Sequence, residues 1–385
     1  MGANISSLPG IYIHIPFCRQ KCGYCDFYSS TDTQYSEEFV NALIKEICLT
    51  AAQDDYSRPF DTIYFGGGTP SLLKQSQLEK ILAALQKSFS FSENTETTLE
   101  ANPGTITSEN LADFFRMGIN RLSIGIQSFN NKDLQFLERI HSADEARASI
   151  DAARSAGYNN LSLDLICAVP GQSADSWKQS LSEAISFKPE HLSIYSLMFE
   201  KGTPFYSRML KGEISARSQE DELAFLELTV DMLKENGFIP YEVSNYAASP
   251  ELYSRHNYKY WTLADYLGFG PSAHSFRSGI RRANSGSLNE YISSLNENRI
   301  PVSFSETIDA ETAEYEFIFL SLRTYKGLDT EQFYNRFGLD FYKVYKEITN
   351  VLISEALARQ EKQLFQLTQK GMFICDEILA KFIKT

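Results

Sequence analysis

No stretch of this sequence approaches the roughly 18 to 20 continuous apolar residues that cross a bilayer. Its start, MGANISSLPG, has no basic segment leading into an apolar one, so a secretory signal is not expected either. MGANIS does match the short acylation pattern of Gly2 with Ser6, a pattern common enough to carry little weight. Positive charge is scarce: 36 Lys and Arg stand against 49 Asp and Glu, a net of -13. Non-specific nucleic-acid binding needs a basic footprint, so no nucleic-acid partner is expected, although a small basic pocket stays open. Cysteine is sparse too, at six in 385 residues, which excludes a disulfide scaffold and points to a reducing compartment, the cytoplasm by default. Apolar residues are not lacking. At 43% they exclude disorder, and the length supports one large domain with a smaller one.

Strand-like and helix-like runs alternate through the first two thirds. GIYIHIPF (10–17), FDTIYFGGG (60–68), TTLEANP (97–103), RLSIGIQSF (121–129), NLSLDLICAVPG (160–171) and HLSIYSLMF (191–199) read as strands. Helical spacing follows each, as in Phe39, Leu43, Ile44 and Ile47, or in the stretch from about 218 to 236. Units repeating at intervals of roughly 30 residues predict parallel strands with crossovers in an α/β fold. At least six of them point to a barrel or an incomplete barrel over residues 1–240, with an open doubly wound sheet as the alternative. No G-x-G-x-x-G follows the first strand, which disfavours a dinucleotide fold. Residues 241–304 lose the rhythm and become aromatic and glycine-rich, the pattern of an ordered segment expected to close the barrel mouth. Residues 305–385 read as helix, turn and helix, then a helix, a hairpin and a last helix. A winged helix would have that order, but the few basic residues on its helices argue against DNA.

Three of the six cysteines, Cys18, Cys22 and Cys25, fall within eight positions as C-x3-C-x2-C. The other three, Cys48, Cys167 and Cys375, lie among apolar neighbours and are expected to be buried. Three thiolates on one loop suit zinc or an iron–sulfur cluster. Structural zinc wants four protein ligands, and His14, on the strand before the loop, is poorly placed to be the fourth. A [4Fe–4S] cluster with one iron lacking a protein ligand suits three, and that iron could take a small molecule through an amine and a carboxylate.

This loop resembles that of the radical S-adenosylmethionine (SAM) superfamily. Nearly the whole chain is similar to one branch, the oxygen-independent coproporphyrinogen III oxidases and their HemW haem chaperone relatives. The resemblance implies a partial (β/α)6 TIM-like barrel with a small, mainly helical, winged-helix-like C-terminal domain. It also implies that the fourth position on the cluster belongs to SAM. FGGGTPS (65–71) matches the glycine motif that bonds the SAM amino group, with Gly67, Gly68 and Thr69 at the strand end and backbone amides expected to be free for a ligand. Glu100, Gln127, Arg139 and Asp164 match residues that help to hold SAM, Asp164 suiting a ribose hydroxyl, and Tyr12 matches a tyrosine beside the cluster.

Within the branch, the oxidases carry a further cysteine two positions after the third, where this chain has Phe27 in CGYCDFYS. They also carry a longer segment before the loop, and 17 residues precede Cys18 here. Both features match the chaperones, as does HNYKYW (256–261), which fits their H-N-x-x-Y-W motif. That motif could contact haem through the imidazole of His256 and the rings of Tyr260 and Trp261, or it could cap a turn and pack the segment. Cys22 or another thiol is an alternative haem ligand. His274 is expected to be structural, beside a glycine turn near the mouth; His141 is expected to cap a helix or lie at the surface, and His191 to begin a strand. The chaperone reading implies haem binding and delivery to respiratory haem proteins at the membrane, peripheral membrane association through a partner, and a cluster-dependent homodimer. The oxidase alternative implies radical decarboxylation of propionate side chains.

Overall fold

The computed structural model describes residues 8–53 and 56–383. Gly2 and Ser6 of the acylation pattern lie outside them. Six strands, β1 (Gly10–Ile15), β2 (Phe60–Gly67), β3 (Phe91–Ala101), β4 (Arg121–Gln127), β5 (Leu161–Cys167) and β6 (His191–Ser196), pair in parallel in chain order. Between and after them run α1 (Ser36–Gln53), α2 (Gln75–Ser88), α3 (Ser108–Arg116), α4 (Asn131–Phe136), α5 (Ala143–Ser155), α6 (Ala174–Ser186), α7 (Pro204–Leu210) and α8 (Gln219–Glu235). The helices begin where the chain offers a side chain to an orphan amide. Thr107 and Ser142 form capping boxes, and Ser173, Thr203 and Ser218 cap the starts of α6, α7 and α8.

The strands explain where the site must be. In RLSIGIQ, Leu122, Ile124 and Ile126 are fully buried in the main apolar core, so the intervening Arg121, Ser123, Gly125 and Gln127 face the other way. The same alternation puts Thr98 and Glu100, Ser162 and Asp164, and His191 and Ser193 on that second face. The sheet curls around this polar face, because residues from the β1 loop to β6 line a single cavity. Such a lining is unusual for a covered parallel sheet, whose strands normally read as apolar on both faces. It marks a binding interior.

The sheet continues at both edges. β7 (Ile239–Pro240) and β8 (Asn245–Ala247) add antiparallel to β6. On the other side β9 (Tyr266–Phe269) pairs in parallel with β1, and β10 (His274–Arg277), β11 (Ile280–Asn284) and β12 (Val302–Thr307) follow antiparallel. The boundary expected at 304–305 therefore falls within β12, which belongs to the large sheet. α9 (Arg255–Trp261) and α10 (Leu288–Asn296) lie in the same segment.

The segment 241–304 does not simply close the mouth. α9 sits at the opposite end, under the starts of the parallel strands. The Arg255 and His256 amides donate to the Glu96 carboxylate at 3.2 and 3.1 Å, and Glu96 is level with Thr62 near the start of β2. Lys259 Nζ donates to the Leu8 carbonyl at 2.7 Å and pairs with Asp61 at 2.6 Å. The turn after β9 does reach the mouth: Gly270, at φ +101°, lies so close to the His14 carbonyl that a Cβ would meet it at 2.4 Å.

A second apolar core holds the C-terminal part together. α11 (Ala310–Leu322), β13 (Leu328–Asp329), α12 (Thr330–Phe337), α13 (Phe341–Val344) and α14 (Lys346–Ser354) precede a hairpin of β14 (Ala358–Glu361) and β15 (Leu364–Leu367). α15 (Gln369–Phe373) and α16 (Cys375–Ala380) end it. Phe341, Phe365 and Phe382 meet at its centre, each contributing about 1.5–3 kcal/mol through burial. Cys167 and Cys375 are buried as expected, but Cys48 is exposed. It lies just off the stripe of Phe39, Leu43 and Ile47 by which α1 faces the core. Among the described residues no helix is long and apolar enough to cross a membrane.

Candidate functional site

The cysteine loop is pinched at its base. The Cys18 amide donates to Ser30 O at 3.0 Å, and the Ser30 amide returns a bond to Pro16 O. α7 braces its middle: the Phe205 ring occupies the space where a Cβ on Gly23 would stand, and the Phe205 amide donates to Gly23 O at 2.9 Å. Cys18, Cys22 and Cys25 then open onto a cavity of about 530 Å³ at the carboxyl ends of the parallel strands. The same cavity is lined by Gly67, Gly68, Thr69, Glu100, Gln127, Arg139 and Asp164. Residues spread over some 150 positions are thus brought to one place.

A circuit of hydrogen bonds joins two of the thiols. Thr69 Oγ1 donates to Cys18 Sγ at 3.6 Å and accepts from Asn102 Nδ2 at 2.9 Å. Arg139 Nη2 donates to Asn102 Oδ1 and to Gly125 O, while its Nη1 donates to Cys22 Sγ at 3.6 Å. Donors and a fixed positive charge aimed at sulfur favour thiolates, the form that binds iron. Burial pushes the Cys18 and Cys25 thiols up, opposed at Cys18 by the Thr69 bond. Arg139 Nε is buried without a partner, a donor left over beside the cavity.

The carboxylates are held just as firmly. Asp164 accepts from Ser123 Oγ at 2.9 and 3.1 Å and from Ser162 Oγ at 3.1 Å. Glu100 accepts from Tyr64 OH at 2.8 Å and from the Gly67 amide at 3.2 Å. Desolvation raises Glu100 to about 7, with the Asp164 charge adding to the rise and the Tyr64 bond opposing it. Desolvation raises Asp164 as well, against its serine bonds. Gln127 ends β4 at φ +64°, next to a register shift in the pairing of β4 with β5. A non-glycine residue in that strained region, at the cavity wall, fits a functional position.

The glycines work differently from expectation. The Gly67, Gly68 and Thr69 amides are already used, donating to Glu100, Ile15 O and Phe17 O. Gly68 is required because a Cβ there would stand 2.7–2.8 Å from the Phe17 and Ile15 carbonyls of the cysteine loop. An amino group, which donates, needs acceptors from this strand end rather than amides.

Four predicted residues lie elsewhere. Tyr12 is inside the curled sheet below the cavity, its hydroxyl donating to His14 Nδ1 at 3.2 Å. His256 is 1% exposed, and both ring nitrogens are engaged, Nδ1 with Thr62 Oγ1 at 2.8 Å and Nε2 with Tyr260 OH at 2.9 Å. Its ring stacks on Tyr64 at 5.1 Å. Burial drops its pKa to about 3, so it is a neutral structural ring with no open position for iron. Tyr260 and Trp261 go with it to the foot of the sheet. His141 is buried rather than at the surface, bonding to Ile126 O at 3.1 Å. His14 lies inside, bonded to Tyr28 O at 2.9 Å. Asn102, Ser123 and Tyr64 belong to the site without having been singled out; the even spacing of Asn102 with Glu100 and of Ser123 with Gln127 was the available signal.

Two family models match the chain: the radical SAM superfamily over residues 12–184, and the HemN C-terminal domain over 308–374. The haem chaperone HemW of Bacillus subtilis is 33% identical over 374 residues, covering 97% of this chain and 98% of that one. HemW of Lactococcus lactis is 34% identical over 374 residues, covering 97% and 96%. The chain belongs to the HemW family. In fold it is similar to the solved coproporphyrinogen III oxidase (HemN) of Escherichia coli, with a TM-score of 0.84, 22% identity, and 98% of this chain and 91% of that one covered. This chain and that oxidase thus share one α/β radical SAM fold, and the fold alone does not separate a chaperone from an oxidase.

Radical SAM membership brings a [4Fe–4S] cluster and SAM, and the residues of this HemW-family cavity fit both. Among the described residues no three His, Cys, Asp or Glu side chains converge on a point for a single ion. Three thiols on one cavity wall, two of them met by the Thr69 and Arg139 donors, are the donor set such a cluster would take. When bound, the cluster supplies one-electron chemistry at SAM.

Proposed function

We propose that this protein binds haem and delivers it to respiratory haem proteins at the membrane, with a SAM-coordinated [4Fe–4S] cluster in its cavity. Cys18, Cys22 and Cys25 hold the iron. Gly67, Gly68, Thr69, Glu100, Gln127, Arg139 and Asp164 hold SAM, Asp164 at a ribose hydroxyl, while Tyr12 supports this layer from below. The protein is cytoplasmic, reaches the membrane through its recipient, and dimerises when the cluster is present. The observation that carries the reading is the full-length similarity to HemW proteins, joined to a cavity rim unlike a cysteine-bearing one. Phe27 stands there 62% exposed, with Met198 64% exposed and Tyr195 beside it on the same cavity. That apolar rim suits the flat face of a porphyrin better than HNYKYW does, whose His256 is buried with both ring nitrogens engaged.

Haem titration of the anaerobically reconstituted protein, followed by mixing with an apo haem protein, tests this. Haem should bind at about one per chain and pass on to the acceptor. Phe27→Ser should weaken uptake about tenfold, in line with about 1.5–3 kcal/mol for one buried aromatic ring, while His256→Phe leaves it unchanged. Loss of uptake in His256→Phe with none in Phe27→Ser would return haem to the HNYKYW motif. Decarboxylated porphyrinogen formed with SAM would instead favour the oxidase.

A further inference from the structure

Asn102 stands where the chain leaves β3, between Ala101 and Pro103. A residue before proline is pushed toward extended backbone. Its carbonyl is pinned in the turn that follows, accepting from the Thr105 amide at 3.0 Å and the Thr105 hydroxyl at 2.6 Å. The side chain lines the cofactor cavity and spans from Thr69 of the glycine turn to Arg139 beyond β4. Gly125 leaves room for it: a Cβ there would stand 2.8 Å from Asn102 Oδ1 and 2.8 Å from Gln127 Nε2.

The chemistry of the groups gives this bridge a direction. A guanidinium only donates, so the atom of Asn102 that meets Arg139 Nη2 must be the carbonyl oxygen. The amide nitrogen is thereby turned to Thr69 Oγ1 at 2.9 Å, and it too can only donate. Thr69 Oγ1 accepts there, which leaves its single hydrogen for its other neighbour, Cys18 Sγ at 3.6 Å. Thr69 is 3% exposed, which limits competition from water for that hydrogen.

We infer that Asn102 aims the Thr69 hydroxyl at Cys18, and that through this aim it sets the reduction potential of the cluster. It is a positioning residue: it meets Thr69 and Arg139 and neither thiol. The inference rests on reading the cavity as the cluster site. Hydrogen bonds to the sulfurs of an iron–sulfur cluster help to set its potential, because they offset the negative charge that grows on reduction. Arg139 also donates to Cys22 Sγ at 3.6 Å, so one amide ties together the donors of two thiols. An aspartate at position 102 would have nearly the same shape and no donor. Both its oxygens accept, so Thr69 would turn its hydrogen to the carboxylate and away from Cys18.

The test is the midpoint potential of the anaerobically reconstituted full chain, read by EPR-monitored redox titration without SAM. Thr69→Val keeps the shape and removes the hydroxyl. It should make reduction about tenfold less favourable, the scale of one hydrogen bond to a charged group, which for a one-electron couple is about 59 mV lower. Thr69→Ser, which keeps the hydroxyl, should stay with the unaltered protein. Asn102→Asp should fall by at least as much as Thr69→Val, since it withdraws the same hydrogen and adds a negative charge. The deciding comparison is the double variant: Thr69→Val added to Asn102→Asp should lower the potential little further, because the hydroxyl has already turned away. If Asn102→Asp holds no cluster, Asn102→Ala, which leaves the hydroxyl undirected, takes its place, and Thr69→Val added to it should have a smaller effect than Thr69→Val alone. An unchanged potential in Thr69→Val, or a Thr69→Val effect of one size whether or not Asn102 is present, overturns the inference. Absence of a reducible cluster from the unaltered protein would instead defeat the cofactor reading on which it rests.

Discussion

Replacing Cys22 by serine should leave the protein with almost no iron–sulfur chromophore after anaerobic reconstitution. Iron in such a cluster is held by soft thiolate, and a serine hydroxyl neither ionises near neutral pH nor matches that softness. Cys22 is 8% exposed, receives Arg139 Nη1 at 3.6 Å, and stands against Glu138 O at 3.8 Å. Its sulfur is therefore held between two fixed neighbours. Iron per chain should fall below about a tenth of the unaltered value, by the 10–100-fold scale on which even outer partners of metal sites act. Cys18→Ser and Cys25→Ser should behave alike. Cys48→Ser, on the exposed side of α1, should keep full iron content. Circular dichroism of the iron-free variants should match that of the iron-free parent, because the loop is closed by backbone bonds at Ser30 and Pro16. Retention of half the iron by Cys22→Ser would contradict the cluster assignment.

The second large effect lies at the other end of the sheet. Lys259→Met should cost about 3–5 kcal/mol of stability in denaturant titration, because it strips the buried Asp61 carboxylate of its close partner and leaves it Arg255 Nη2 at 4.0 Å. Lys259 and Asp61 are 1% and 3% exposed and 2.6 Å apart. Burial pulls the Lys259 pKa down and the Asp61 pairing resists it. Adding Asp61→Leu to Lys259→Met should recover most of the loss, as apolar replacement of a whole buried pair generally does. Through Lys259, α9 ties the segment before β1 to β2, and through Glu96 it reaches β3. A loss below about 1 kcal/mol for Lys259→Met would mean that the helix is not the foot of the sheet.

Much of this was legible in the sequence. The sequence RLSIGIQ reads as a strand, and the six parallel strands stand in the order their repeats implied. Cysteine spacing, glycines and carboxylates were readable because parallel strands carry their loops to one end. HNYKYW was harder. Its aromatic richness says that it packs, but helical spacing cannot tell which end of a sheet it packs against. That depends on ion pairs with Asp61 and Glu96, some 160 to 200 residues earlier. The Gly67–Thr69 amides were unreadable for a similar reason: their acceptors come from β1, the β1 loop and Glu100. His141 is buried because the end of β4 leaves the Ile126 carbonyl facing it, a detail set by the same irregular backbone that strains Gln127.

These placements give the cavity and the foot separate tasks, cofactor chemistry above and rigidity below; haem at the apolar rim is the proposed addition. The most direct measurement pairs two assays on the same anaerobically reconstituted protein, haem uptake and coproporphyrinogen III conversion in the presence of SAM and a reductant. The account predicts stable haem binding with no decarboxylated product. Decarboxylated product without stable haem binding would contradict the carrier function while leaving the cluster and its cysteines in place.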